Sequence, residues 1–120
     1  MQIWITGAGS GIGKALALRY AAGGHVVVIS GRTLDTLEAV RSEAETLPGR
    51  ILPMTYDVTD DEATANSSEQ LATLTPHLDL VIMNAGACEY IKGQTLEPDM
   101  FRRVMDANFF GMINTTNVAL

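Results

Sequence analysis

Eight residues near the start, Thr6-Gly7-Ala8-Gly9-Ser10-Gly11-Ile12-Gly13, restrict what this chain can become more than any other stretch. They stand between Gln2-Ile3-Trp4-Ile5-Thr6, an apolar run that reads as a strand, and a helical pattern from Gly11 to Ala22. The helical spacing puts Ile12, Ala15, Leu16 and Tyr20 on one side. Glycines at such a junction allow a tight turn and bring bare backbone close to whatever lies in it, since no Cβ intervenes. The helix then directs its unpaired N–H groups and positive dipole end at the same place, which suits a pyrophosphate. A phosphate-loop NTPase is excluded: its first glycine would fall on Ala8, and Ala15 replaces the Ser or Thr needed after Lys14.

The rest of the chain alternates. Gly23-Gly24 stop the first helix. His25 to Ser30 is a β-branched run expected of a central parallel strand covered on both faces. Thr33 is placed to cap a second helix with Leu34, Leu37, Val40, Ala44 and Leu47 on its apolar side, ended by Pro48-Gly49. A third strand over Arg50 to Tyr56 contains Pro53, which a sheet tolerates at its edge. Thr59-Asp60-Asp61-Glu62 reads as a capping box opening a third helix with Leu71 and Leu74 near its end. Leu78 to Asn84 is a fourth strand, closing in Asn84-Ala85-Gly86. From Thr95 or Pro98 onward, Phe101, Val104, Met105, Phe109, Met112 and Ile113 follow helical spacing. Strands alternating with helices give an α/β fold, a Rossmann-like doubly wound parallel sheet with right-handed crossovers. Its order 3-2-1-4 puts the proline-bearing strand at the edge and a ligand crevice beyond the first and fourth strands.

Thr6 with the spacing Gly7-x-x-x-Gly11-x-Gly13 resembles the short-chain dehydrogenase/reductase family, whose cofactor motif is Thr-Gly-x-x-x-Gly-x-Gly. By that resemblance Gly7, Gly9, Ser10, Gly11 and Gly13 would hold a nicotinamide dinucleotide, with Ile12 near its nicotinamide. Asn84-Ala85-Gly86 resembles the family's Asn-Asn-Ala-Gly, with Met83 in place of the first Asn. Asp57 would bond the adenine amino group and Val58 pack on the ring. At the end of the second strand, Gly31 takes the place of the acid that would hold ribose hydroxyls, and Arg32 follows it. A guanidinium fork there suits a 2′-phosphate, so NADP is favoured over NAD. The missing acid also argues against a methyltransferase. Asn108, three residues before Gly111, matches the first member of the family's catalytic tetrad, where it holds a water that relays protons.

The resemblance implies an oxidoreductase that interconverts a carbonyl and an alcohol; a homo-oligomer is expected because the fourth strand lacks its next neighbour and the last helix exposes an apolar face. The resemblance spans residues 1–120 but corresponds to the amino-terminal half of a family member. The reaction also needs a Ser and a Tyr-x-x-x-Lys; Tyr20, Tyr56 and Tyr90 are followed four residues on by Gly24, Asp60 and Gln94. The chain alone is therefore expected to be inactive and to expose the apolar side of its last helix. Two other readings stay open: a non-catalytic nucleotide-binding or sensing module, and an epimerase or dehydratase on the same scaffold.

Composition narrows the classes further. A net charge of −6 without a basic stripe argues against nucleic acid. One cysteine, Cys88, excludes an internal disulfide and fits a reducing compartment. No apolar run spans a bilayer, and Met1 leads directly into a strand, so a cytoplasmic location without a membrane partner is expected. His25 and His77 stand apart from one another and from other ligand types, so no metal site is expected. The glycosylation patterns at Asn66 and Asn114 are read as chance.

Overall fold

A computed structural model describes all 120 residues. Four strands, β1 (Gln2–Thr6), β2 (Val26–Gly31), β3 (Arg50–Thr55) and β4 (Leu80–Ile82), form one sheet. Every pairing is parallel and the order is β3-β2-β1-β4, the doubly wound arrangement the alternation predicts. Pro53 lies on β3 opposite Ile29, so the residue lacking an N–H stands in an outer strand.

Helices cover both faces because the strand side chains alternate. Ile3, Ile5, Val27, Ile29 and Ile51 pack with Ala17, Ala21, Leu37 and Val40 of α1 (Gly11–Ala22) and α2 (Leu34–Glu43). Trp4, Val28 and Met54 point the other way, toward Leu71 of α3 (Asp61–Leu74) and Val118 of α5 (Gly111–Ala119). Each fully buried aliphatic side chain contributes about 1.5–3 kcal/mol relative to exposure. Trp4 is wholly buried and still satisfied, its indole N–H donating to Ser30 Oγ at 2.9 Å.

Several expectations are corrected. The buried stripe of α1 is Gly13, Ala17 and Ala21, while Ile12 and Ala15 are exposed. Small residues four apart let the helix lie close on the sheet, and that close approach chooses the inward face over side-chain size. α2 ends at Glu43, before Leu47, with Leu34 exposed and no bond from the Thr33 side chain. The cap of α3 is Asp60, whose Oδ1 accepts from the N–H groups of Glu62 and Ala63 at 3.1 and 3.0 Å. Thr59 bonds Asp57 instead. β4 is three residues long, and the chain beyond it runs irregularly to α4 (Pro98–Met105). The last helix runs without interruption over 98–119, as its spacing predicts, but winds more loosely through a π-helical turn over Asp106–Phe110 between α4 and α5.

Candidate functional site

The opening turn is fixed by what it must pass. Gly7 has φ +64°, and a Cβ there would lie 2.8 Å from Ala85 Cα, so both conformation and space demand glycine. Gly13 is needed for a different reason: its Cβ would stand 2.5 Å from both Asn84 Nδ2 and Gly7 O. Asn84 fills that gap, donating from Nδ2 to Thr6 O at 3.1 Å and to Gly7 O at 3.0 Å. Ala85 N–H donates to Thr6 Oγ1 at 3.1 Å. The turn after β1 and the segment after β4 are thereby tied together at the carboxyl ends of the two central strands.

A cavity of about 560 Å³ opens above this junction. Gly7, Gly9, Ser10 and Ile12 line one side, and Asn84, Ala85 and Gly86 another. Gly31 and Arg32 stand at the end of β2, and Asp57 and Val58 after β3. Of the residues expected at the cofactor only Gly11 and Gly13 are absent from the lining, as is Asn108, expected as a catalytic residue. Gly11 turns the chain with φ +56°, and Gly13 packs beneath the turn. Asn108 sits in the π-helical turn, exposed, and grips Ala87 on both sides. Its Oδ1 accepts from Ala87 N–H at 2.7 Å, and its Nδ2 donates to Ala87 O at 2.8 Å. Ala87 and Ala107 both reach the cavity, so Asn108 meets it through its neighbours.

The electrostatics favour an anion at the turn. Ser10 precedes α1 without a side-chain bond to it, and no acidic residue lies in the first turn of that helix. The positive end of the dipole is left uncompensated beside the cavity. Arg32 enters no salt bridge. At the opposite end Asp57 Oδ1 accepts from Thr59 N–H at 2.9 Å and from Thr59 Oγ1 at 2.7 Å, while its other oxygen makes no bond within the chain. A carboxylate oxygen held in place and unengaged is an acceptor for a ligand amino group. The site thus offers amides, a guanidinium and a fixed carboxylate in sequence along one cleft.

Sequence reasoning missed Thr33, Thr36, Tyr56 and Thr59 in the lining. Thr36 is the instructive case: a Cβ on Gly9 would meet its Oγ1 at 2.8 Å, a contact between turn and helix that no local spacing encodes. No group of three or more His, Cys, Asp or Glu side chains is placed to hold a metal, and no helix is long and apolar enough to cross a membrane.

Residues 2–120 match the family model described as short chain dehydrogenase. The chain belongs to that family. It is 30% identical to a 3-oxoacyl-[acyl-carrier-protein] reductase of Thermotoga maritima over 97% of its own length and 47% of that protein's. Among solved structures, a short-chain type dehydrogenase/reductase from Mycobacterium marinum superposes with a TM-score of 0.90 at 31% identity, covering 98% of this chain and 48% of that one. An alcohol dehydrogenase from the archaeon Thermococcus sibiricus, complexed with 5-hydroxy-NADP, gives a TM-score of 0.91 at 25% identity, covering 98% and 51%. The chain spans about half the length of these relatives.

Proposed function

We propose that this chain is the cofactor-binding part of an NADP-dependent oxidoreductase that interconverts a carbonyl and an alcohol. The observation that carries the reading is the glycine turn locked to Asn84, with the uncapped end of α1 beside a cleft that ends at Arg32 and Asp57. The residues fit a nicotinamide dinucleotide on geometry alone. Gly7 and Gly9 line the cleft with no side chain, which leaves bare backbone there for a pyrophosphate. When bound, the cofactor supplies hydride transfer; what the chain supplies is binding and orientation.

Arg32 would pair with a 2′-phosphate, since Gly31 offers no carboxylate to repel one. Asp57 would accept from the adenine amino group through its unengaged oxygen, with Val58 against the ring. Ile12, exposed at the start of α1 and lining the cleft, would lie toward the nicotinamide. Asn108 holds Ala87 at the cavity wall, which still leaves one lone pair on its Oδ1 and one proton on Nδ2 for a relay water.

These 120 residues contain no Tyr-x-x-x-Lys. A positioned acid/base is worth about 10²–10⁴ in rate, so the chain alone should bind cofactor without measurable turnover. Exposed Phe101, Met105, Phe109 and Met112 suit burial against a second copy in a homo-oligomer. The test is a fluorescence titration with NADPH and NADH. Arg32→Ala should weaken NADPH by about tenfold and leave NADH within twofold, the loss of one charge-assisted contact. Equal weakening of both would overturn the phosphate role, and no binding of either would overturn the cofactor reading.

A further inference from the structure

The turn that carries Asp57 and Val58 is held from outside by a residue that no part of the cofactor pattern names. Asn114 lies on α5, with its side-chain amide against the β3–α3 connection. Nδ2 donates to the carbonyl of Val58 at 3.0 Å and to Asp61 Oδ1 at 2.9 Å. Both amide protons are therefore engaged, one on each side of the segment that runs from the cavity wall into α3. One turn earlier on α5, Gly111 lets the helix come so close that a Cβ there would stand 2.6 Å from Val58 Cγ2. Val58 is thus held by its carbonyl and its side chain from one helix. Asp57, its neighbour, is fixed separately by Thr59.

We propose that Asn114 is a positioning residue for the adenine end of the dinucleotide: by clasping Val58 and Asp61 it holds the Asp57–Val58 wall where ring and amino group are read. The inference rests on the cofactor reading above. It differs from a purely structural role in what it predicts, because a clasp that sets the Asp57 carboxylate in register should govern which base is preferred, beyond how stable the fold is. Without the clasp the connection keeps Asp57–Thr59, the Asp60–Asp57 backbone bond and the Asp60 cap, all internal to itself, and the bond from Tyr56 N–H to Gly31 O of β2 at its start. Nothing then anchors the wall to α5 except apolar contact.

The experiment uses the 120-residue chain and two ligands, NADPH and deamino-NADPH, in which hypoxanthine replaces adenine and an oxo group replaces the amino group. The unaltered chain should prefer NADPH by about tenfold, the scale of one hydrogen bond to a charged group. In Asn114→Leu, which matches size but donates nothing, the ratio should fall toward one, with NADPH the ligand that weakens. Asp61→Ala removes only one of the two acceptors, from an exposed position, and should lower the ratio by a smaller factor; it also serves if Asn114→Leu fails to fold. An unchanged ratio in a folded variant would overturn the clasp, as would equal weakening of both ligands, which marks a general structural role. Binding of both ligands without preference by the unaltered chain would overturn the adenine placement and the clasp with it. Binding of neither would overturn the cofactor reading itself.

Discussion

Tyr56 is buried at 2% exposure beside Trp4, ring centroids 5.6 Å apart, and its hydroxyl finds no partner within the chain. An unsatisfied buried hydroxyl costs about 1–3 kcal/mol, so Tyr56→Phe should leave the chain as stable or more so by about 1 kcal/mol in urea unfolding. A loss of similar size would show that the hydroxyl has a partner. Single residues were legible where a special requirement stood alone in the sequence. Gly7 and Gly13 were found because glycine at that spacing is rarely idle, yet their reasons differ: Gly7 needs its positive φ as well as its missing Cβ, and Gly13 its missing Cβ alone. Hydroxyl and amide side chains that meet across the fold, such as Thr36 and Asn114, carry no such signal, because their partners lie far away in sequence.

At the scale of elements, the connection between β4 and α4 is held by two grips, Asn108 on Ala87 and Arg103 on Glu89. The latter is a two-pronged pair at 3.0 and 2.7 Å. The Arg103 hydrogen bond, helped by its charge, holds Glu89 below the usual carboxylate range, and Arg103 is raised in turn. A depressed acid contributes stability above its unfolded value and loses it as pH falls through the lower folded one. The grip should therefore be complete at neutrality and open only in acid below the ordinary glutamate range. A nitroxide attached to the exposed Cys88 reports this directly. Its spectrum should sharpen on acidification, and Arg103→Gln should sharpen it at every pH; a spectrum insensitive to both would refute the grip. Element existence was readable from apolar periodicity, and Pro53 marked the outer strand. The π-helical turn was not readable. Apolar spacing across 101–113 fits a continuous helix, which forms, but it carries no sign of the wider turn that lies between the contacts of Asn108 and Gly111 with other segments.

Across the whole molecule, alternation of strand side chains divides the core into two layers, and glycines at one end of the sheet leave the cleft between them open. Topology was legible because strand–helix alternation and the opening motif impose the same sheet order. The outer surface of the last third was legible only as an apolar expectation, which the exposed Phe101, Phe109 and Met112 match. The central claim is that a dinucleotide lays its bridging phosphates against the amides at the start of α1. The most direct measurement is a titration of the ¹⁵N-labelled chain with NADPH, followed by amide shifts residue by residue. The largest shifts should fall on Gly9, Ser10, Gly11 and Ile12, with a second group at Asp57 and Val58. Saturation that moves other amides while those of the turn stay in place would contradict it.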